Sequence, residues 1–185
     1  MKLSSFNDGS KDGQLIVVSK DLTKFVYASD IALTMQAAMD NWDSIFDELN
    51  NLSKDLNGGK IEANKFEAHN VLSPLPRAYQ WADGSAYVNH VALVRKARGA
   101  EMPDSFWSDP LMYQGGSDDF IPPLAPIYLP DESWGIDMEG EIAVITGNVE
   151  MGTSPKEALN SIRLLMLVND VSLRNLIPNE LSKGF

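Results

Sequence analysis

The amino-acid sequence predicts an α+β protein, mostly β with some α, in which a small N-terminal β-rich domain with a helix precedes a second domain. Short runs rich in Val, Ile, Phe and Tyr occur in both halves of the chain, which is typical of strands. One long stretch has the three–four apolar spacing of an amphipathic helix. A proline-punctuated connector, VLSPLPRAYQW at 71–81, separates the two parts, so we expect an N-terminal domain over 1–72 and a second domain over 73–185.

The N-terminal domain is predicted to begin with a β-hairpin. Its strands are QLIVVS at 14–19 and KFVYAS at 24–29, and KDLT forms the turn between them. One helix is expected next, because apolar residues from Met35 to Leu52 follow the spacing of one buried face. Thr34 is a suitable N-cap, and a Gly-Gly pair at 58–59 ends the helical pattern.

The second domain begins with segments of less certain periodicity. Residues 82–100 fit either a strand or a short helix, and residues 101–133 are rich in Pro, Gly and Asp, which is typical of long irregular structure. Residues 136–146 then alternate as a strand does.

A short helix and a further strand are predicted after that. Ser154 is the expected N-cap, Pro155 occupies the first helical position, and Glu157 completes a capping box. The apolar run RLLMLVNDVS at 163–172 then predicts a buried strand that ends in polar residues.

Composition and charge exclude several classes of function. The net charge of -11 argues against binding to nucleic acid or to an anionic membrane, since both require a basic surface. The 185 residues include no cysteine, which excludes disulfides, thiolate metal sites and a cysteine nucleophile and fits a reducing compartment. Neither a signal peptide nor a membrane-spanning run is recognisable, so a cytoplasmic location is expected.

The predicted strand WGIDMEGEIAV at 134–144 concentrates negative charge. Asp137, Glu139 and Glu141 recur at every second residue, so their side chains share one face. A solvent-exposed face is the simplest explanation, yet neighbouring like charges repel and acidic residues are poor strand formers. A divalent cation removes this conflict, and carboxylate oxygens suit Mg²⁺ or Ca²⁺. The absence of cysteine and the presence of only two histidines make zinc a poorer candidate.

Other polar residues could complete such a site. Asp170 follows an apolar run, and Asp83 lies seven residues before His90. Each has an ordinary alternative, because Asp-Gly is a turn signal, a strand-end Asp is often a turn or cap residue, and a histidine can serve in a core or on a surface. His69 lies in the region that leads to the connector, without an acidic motif beside it.

The combination of these motifs resembles the fumarylacetoacetate hydrolase family. The series is DGSAYVNH at 83–90, DMEGE at 137–141 and LVNDVSLR at 167–174, with the capping-box helix between the last two. The loop PLMYQGG at 110–116 is similar to a tyrosine-bearing loop of the family. The resemblance covers most of the chain, including a small N-terminal β-rich domain.

The resemblance implies a mixed β-roll catalytic domain and a divalent-metal site. Carried over by position, the metal ligands are Asp83, Glu139, Glu141 and Asp170, and the metal is Mg²⁺ or Ca²⁺, with Mn²⁺ as a further candidate. Asp137 is outside the carried-over set, so we expect it to support the ligands from behind or to face solvent.

The resemblance also implies a hydrolase that cleaves a carbon–carbon bond in a β-diketo acid, such as fumarylacetoacetate or an acylpyruvate. Such an enzyme belongs to aromatic amino-acid catabolism, including tyrosine degradation. His90 is then the general base, while Tyr113, Arg174 and Arg98 contact the substrate. Members of the family are commonly dimers, so a homodimer is expected.

Departures from the family pattern leave two alternatives open. Ile177, followed by Pro178, stands where the hydrolase has a glutamine, and Ser85 replaces a tyrosine. These changes leave room for a 2-oxo acid decarboxylase, dehydratase or isomerase. Further family site residues, a lysine among them, lie beyond the position of Phe185, so we expect the N-terminal portion of a longer, truncated member. An inactive fragment that serves only in binding or structure is therefore the other alternative.

Overall fold

The computed structural model describes residues 1–116 and 118–184. These residues form an α+β fold, which confirms the predicted fold class. The strands and helices follow in the order β1 (Lys2–Phe6), β2 (Gln14–Val18), β3 (Lys24–Tyr27), α1 (Met35–Asp40), α2 (Trp42–Asn57), β4 (Asn64–Lys65), β5 (Ala82–Gly84), α3 (Val88–Ala97), β6 (Met112–Gln114), β7 (Ile136–Thr146), α4 (Pro155–Ala158), β8 (Ile162–Leu173) and α5 (Ile177–Leu181).

The N-terminal part contains a four-stranded antiparallel sheet in the order β1-β2-β3-β4. The predicted hairpin forms its centre, as β2 and β3. The sequence KLSSF of β1 did not predict a strand, because its two serines interrupt the apolar pattern. Ser5 is nevertheless fully buried, and its hydroxyl donates a hydrogen bond of 2.7 Å to the carbonyl of Pro74. A satisfied serine can therefore occupy a core position.

Two helices, α1 and α2, replace the single helix that the apolar spacing predicts. Thr34 caps the first helix as expected, since its Oγ1 accepts a hydrogen bond from the Ala37 amide at 3.1 Å. The break lies at Asn41, whose backbone leaves the helical region at φ −117°. Its side-chain amide donates to the carbonyl of Ala37 at 3.0 Å, which satisfies a group that the helix end leaves free. The apolar face of both helices packs on the sheet, and the main core consists of Leu15, Val17, Val26, Ala28, Ala32, Met35, Ala38, Trp42, Leu49 and Leu56.

The connector packs against the N-terminal sheet at its beginning. Val71 is buried and bridges to Phe6, and the guanidinium of Arg77 forms two hydrogen bonds to the Asp12 carboxylate, at 2.9 and 2.5 Å. The predicted boundary between 72 and 73 therefore falls within a segment that contacts the first sheet, and it stays a prediction.

The ambiguous segment 82–100 contains both kinds of element, strand β5 followed by helix α3. The segment 101–133 is largely irregular, as predicted, and includes one short strand, β6, which pairs antiparallel with β5. This pairing brings the middle of the irregular region back to the beginning of the second domain.

Strands β7 and β8 form a long antiparallel hairpin, in which β7 has the bounds that the sequence predicts. The capping box before α4 is confirmed, with the Ser154 hydroxyl and the Glu157 carboxylate bonded to each other's backbone amides. The expectation that β8 is buried is wrong. Leu165 and Leu167 are 69% and 84% exposed, because this two-stranded sheet is covered on only part of one face, where Leu164 packs against the main core.

The second domain contains two sheets of two strands each within the described residues, so a mixed β-roll remains an expectation for this domain. In the same residues, no helix has both the length and the apolar character needed to cross a membrane.

Candidate metal centre

Strand register places the acidic residues of β7 and β8 on one face of their hairpin. Glu139 lies opposite Asp170, and Glu141 follows Glu139 at the next position on the same side. The β5–β6 pair supplies a further carboxylate, because Asp83 lies opposite Tyr113. The two hairpins bring together one carboxylate oxygen each from Asp83, Glu141 and Asp170, within 4.8 Å of one another.

Partial burial and mutual repulsion disfavour simultaneous ionisation of the three clustered carboxylates. Burial raises the pKa of Glu141 above its ordinary value, and the charges of Asp83 and Asp170 raise it further. The pKa of Asp170 is also raised, first by burial, although the Tyr113 hydroxyl opposes this shift. A divalent cation offsets the repulsion, and three carboxylates of this kind suit Mg²⁺, Ca²⁺ or Mn²⁺. The residues present therefore fit a hard divalent cation.

Tyr113 supplies a hydrogen-bond donor to the cluster. Its hydroxyl lies 2.6 Å from Oδ2 of Asp83, to which it donates, and 3.2 Å from Oδ2 of Asp170. Burial and the bond to Asp83 raise the pKa of Tyr113 well above its ordinary value, so the phenol keeps its proton. Tyr113 thus links the loop-borne strand β6 to two of the three clustered carboxylates.

Glu139 lies beside the three-carboxylate cluster and contacts a different set of partners. Its Oε1 accepts a hydrogen bond of 3.2 Å from the Ser172 hydroxyl and another from the Arg174 guanidinium. Its Oε2 is 3.5 Å from Nε2 of His90, which α3 presents. Glu139 is therefore the carboxylate that connects the predicted base to the predicted substrate-binding arginine.

Asp137 also contacts Arg174, whose Nε donates to its Oδ2 at 3.0 Å. This bond lowers the pKa of Asp137. The strand pattern alone predicts no defined partner for Asp137 and does not single out Ser172. Their signal was the register itself, since Ser172 lies opposite Asp137 and Arg174 is two residues further along.

The remaining predicted residues lie at varying distances from this arrangement. Arg98 is at the C-terminal end of α3, and no hydrogen bond or ion pair joins its side chain to the carboxylates within residues 1–116 and 118–184. His69 lies 3.6 Å from Glu67 in the N-terminal part, away from the clustered acids. Ser85 lines an open cleft next to β5 with Val88, Phe106, Trp107 and Pro110.

The chain thus combines an α+β fold with clustered strand carboxylates and a nearby histidine. This arrangement is typical of metal-dependent enzymes. Two family models match it, "Fumarylacetoacetase N-terminal domain 2" over residues 1–77 and "Fumarylacetoacetate (FAA) hydrolase C-terminal" over residues 80–185. The chain belongs to the fumarylacetoacetate hydrolase family, as the resemblance predicted. These domains indicate a hydrolase, isomerase or decarboxylase, in a family that typically depends on a divalent metal. No curated protein matches the chain.

Proposed function

We propose that the protein is a divalent-metal-dependent hydrolase that cleaves a carbon–carbon bond in a β-diketo acid, such as fumarylacetoacetate or an acylpyruvate. The observation that carries this proposal is the convergence of Asp83, Glu141 and Asp170 within 4.8 Å. Membership of the family supports it, because the family contains such hydrolases.

The clustered carboxylates are the proposed metal ligands. Asp83, Glu141 and Asp170 each offer one oxygen, and Glu139 is proposed as a fourth ligand through Oε2, since its Oε1 already accepts two hydrogen bonds. When bound, Mg²⁺, Ca²⁺ or Mn²⁺ would polarise a substrate carbonyl as a Lewis acid.

His90 is the proposed general base for the reaction. Its imidazole takes a proton from water as the water oxygen bonds to a carbonyl carbon of the diketone, and the electron pair of the carbonyl π bond moves to the carbonyl oxygen. When this carbonyl re-forms, the carbon–carbon bond breaks, and the departing carbon takes the bonding electron pair and then the proton that His90 accepted. The products are a carboxylic acid and a ketone, so the atoms of water and diketone are all accounted for.

Positive charge and hydrogen-bond donors are available for the substrate. The Arg174 guanidinium is proposed to stabilise the negative charge that develops on the departing fragment. Tyr113 is proposed to orient a substrate oxygen, and Arg98 to bind a substrate carboxylate, as the resemblance implies.

A direct test is the magnesium-dependent loss of acylpyruvate absorbance in the presence of the protein. We expect turnover with Mg²⁺, loss of turnover with chelator, and a large loss in His90→Ala. If His90→Ala turns over substrate at the wild-type rate, the proposed mechanism is wrong. If Mg²⁺ titration gives no binding heat and no turnover occurs, a chain with only a binding or structural role is the better account.

A 2-oxo acid decarboxylase or isomerase is the second candidate. Ser85 and Ile177 leave room for it, because they stand where the hydrolase pattern has a tyrosine and a glutamine. Product analysis in ¹⁸O-labelled water separates the two functions, since only the hydrolase incorporates solvent oxygen into a released acid.

A homodimer is the proposed assembly, and exposed surface supports it. The chain exposes 13042 Å² at a mass of 20.4 kDa, whereas a compact monomer of that mass exposes about 8,800 Å². Part of this excess is the apolar face of β7 and β8, which includes Ile142, Leu165 and Leu167. Two such chains have about 8,500 Å² of excess surface, so burial of the β7–β8 face in a large obligate interface accounts for part of it.

A further inference from the structure

Two carboxylates of β7 accept hydrogen bonds from the side chain of Arg174. The Nε of Arg174 donates to Asp137 Oδ2 at 3.0 Å, and Nη2 donates to Glu139 Oε1. Asp137 and Glu139 are two residues apart on β7, so their side chains point to the same face. Both carboxylates can therefore accept hydrogen bonds from one planar guanidinium. We call these three residues the arginine clamp.

The backbone around Arg174 is fixed as well. Its amide donates to the carbonyl of Gly135 at 2.9 Å, and the next amide, that of Asn175, donates to Trp134 at 3.0 Å. The Asn175 side chain adds a bond of 2.8 Å to the carbonyl of Ser133. Gly135 has φ +70°, and a Cβ there would lie 2.8 Å from the Asn175 amide, so glycine permits this close approach. These hydrogen bonds connect the segment that follows β8 to the segment that precedes β7.

The clamp leaves part of the guanidinium available. Within the described residues, Nη1 of Arg174 makes no hydrogen bond, while Nε and Nη2 are both occupied. Arg174 is 29% exposed and Asp137 55% exposed, whereas Glu139 is 13% exposed. Asp137 therefore approaches Arg174 from the solvent side, and Glu139 approaches it from the side of His90.

We propose that Asp137 is a positioning residue, which holds Arg174 by its Nε so that the remaining N–H groups face the substrate. The kinetic part of this inference rests on the function proposed above. Without the Asp137 acceptor, the guanidinium keeps only its contact with Glu139 and can rotate about that contact. A charged group that must meet a developing negative charge loses effectiveness when its orientation is no longer fixed.

An ordinary surface ion pair is the competing explanation. Such a pair contributes little to stability, and its removal leaves the chemistry of a nearby site unchanged. A positioning role predicts a selective effect on kcat, and the two explanations can therefore be separated.

The test compares Asp137→Ala and Asp137→Glu with the control Asp47→Ala. Asp137→Ala removes the acceptor of the Arg174 Nε–H, whereas Asp47 is an exposed residue of α2 whose carboxylate forms no hydrogen bond to Arg174 within the described residues. The Nε–H resonance of Arg174 is observed by ¹H–¹⁵N NMR and assigned by its absence in Arg174→Lys. We expect slow solvent exchange of this proton in wild type, Asp47→Ala and Asp137→Glu, and fast exchange in Asp137→Ala.

The kinetic arm uses an acylpyruvate with saturating Mg²⁺. We expect Asp137→Ala to lower kcat roughly tenfold, with KM and the Mg²⁺ dissociation constant within about twofold of wild type, and Asp137→Glu to recover most of the loss. Unchanged exchange of the Arg174 Nε–H in Asp137→Ala would overturn the clamp. So would an unchanged kcat, or a loss of kcat that accompanies equal losses in Mg²⁺ affinity and thermal stability. If wild type turns over no substrate, the proposed function fails, and the NMR measurement still decides whether Asp137 fixes Arg174.

Discussion

At the scale of single residues, the clustered carboxylates are more costly to ionise together than one at a time. Glu141 and Asp170 both have raised pKa values because they are partly buried and close to other acids. The Tyr113 hydroxyl relieves part of this repulsion by donating to Asp83. A cation relieves more of it, so each of these acids should contribute measurably to metal affinity.

Removal of one clustered charge is expected to weaken metal binding. Glu141→Gln keeps the shape of the side chain and removes a charged ligand, so the Mg²⁺ dissociation constant should rise by at least about tenfold. Isothermal titration calorimetry measures this constant, with Glu150→Gln as the control, because Glu150 is exposed and outside the cluster. Equal affinity in Glu141→Gln and wild type would exclude Glu141 as a ligand.

The sequence identifies these acids as candidate metal ligands but does not predict their contacts. The two-residue alternation of Asp137, Glu139 and Glu141 predicts one common face, and the register of the hairpin places Glu139 opposite Asp170. The alternation cannot say which acid meets Arg174, because that depends on where the chain leaves β8. For this reason the contact between Asp137 and Arg174 emerges only from the three-dimensional arrangement.

At the scale of secondary-structure elements, helices α1 and α2 cover the N-terminal sheet by burying one apolar face. Leu49 is fully buried in that face, whereas Leu33, which precedes α1, is 67% exposed. The same residue type therefore occurs in two environments close together in the sequence.

Truncation of the buried leucine is expected to destabilise the N-terminal part strongly. Leu49→Ala should lower the free energy of unfolding by about 2–5 kcal/mol, because it removes buried methyl groups and leaves a cavity. Leu33→Ala should change it by less than about 0.5 kcal/mol. Chemical denaturation followed by circular dichroism tests both variants. Similar losses in the two would show that Leu49 does not lie in the core.

Elements with a strong local signal were predictable, and those that depend on distant partners were not. β7 and the capping box at Ser154 have clear periodic or capping patterns and match their predictions. β1 was missed because its strand character comes from pairing with β2 and from the burial of Ser5. The break at Asn41 was also missed, since the apolar spacing continues across it.

At the scale of the whole molecule, two kinds of contact determine how the parts meet. The hairpin β7–β8 touches the N-terminal core through Leu164, and Arg163 forms an ion pair of 3.0 Å with Asp43 at the beginning of α2. The connector adds the ion pair between Arg77 and Asp12. Local sequence patterns do not predict these contacts, because the contacts join residues that are far apart in the chain.

The Arg77–Asp12 pair should make stability depend on pH. The hydrogen bonds from Arg77 hold the pKa of Asp12 below its ordinary value of 3.8, so the ionised carboxylate stabilises the folded state. This contribution is complete above the unfolded-state pKa and is lost as the pH falls through the lower folded-state pKa. Thermal unfolding should therefore show Asp12→Asn below wild type at pH 6, with the difference vanishing in strong acid. A difference that grows as the pH falls would contradict this, and Asp30→Asn is the exposed control.

The exposed face of the hairpin should govern self-association. Leu167→Lys places a charge at a residue that is 84% exposed, so it should leave the fold intact and weaken a homodimer that buries this face. Sedimentation velocity over a range of concentrations distinguishes dimer from monomer, with Lys156→Ala as a surface control. A dimer of equal strength in Leu167→Lys would place the interface elsewhere.

Anomalous diffraction from crystals of the protein grown with Mn²⁺ tests the proposed metal centre by locating the ion itself. Mn²⁺ accepts the same oxygen ligands as Mg²⁺ and is located by its own scattering signal. The account predicts one strong anomalous peak coordinated by Asp83, Glu141 and Asp170, and its disappearance in Asp170→Asn crystals. A strong peak at other acidic residues, or full retention of the peak in Asp170→Asn, would contradict the proposed metal centre.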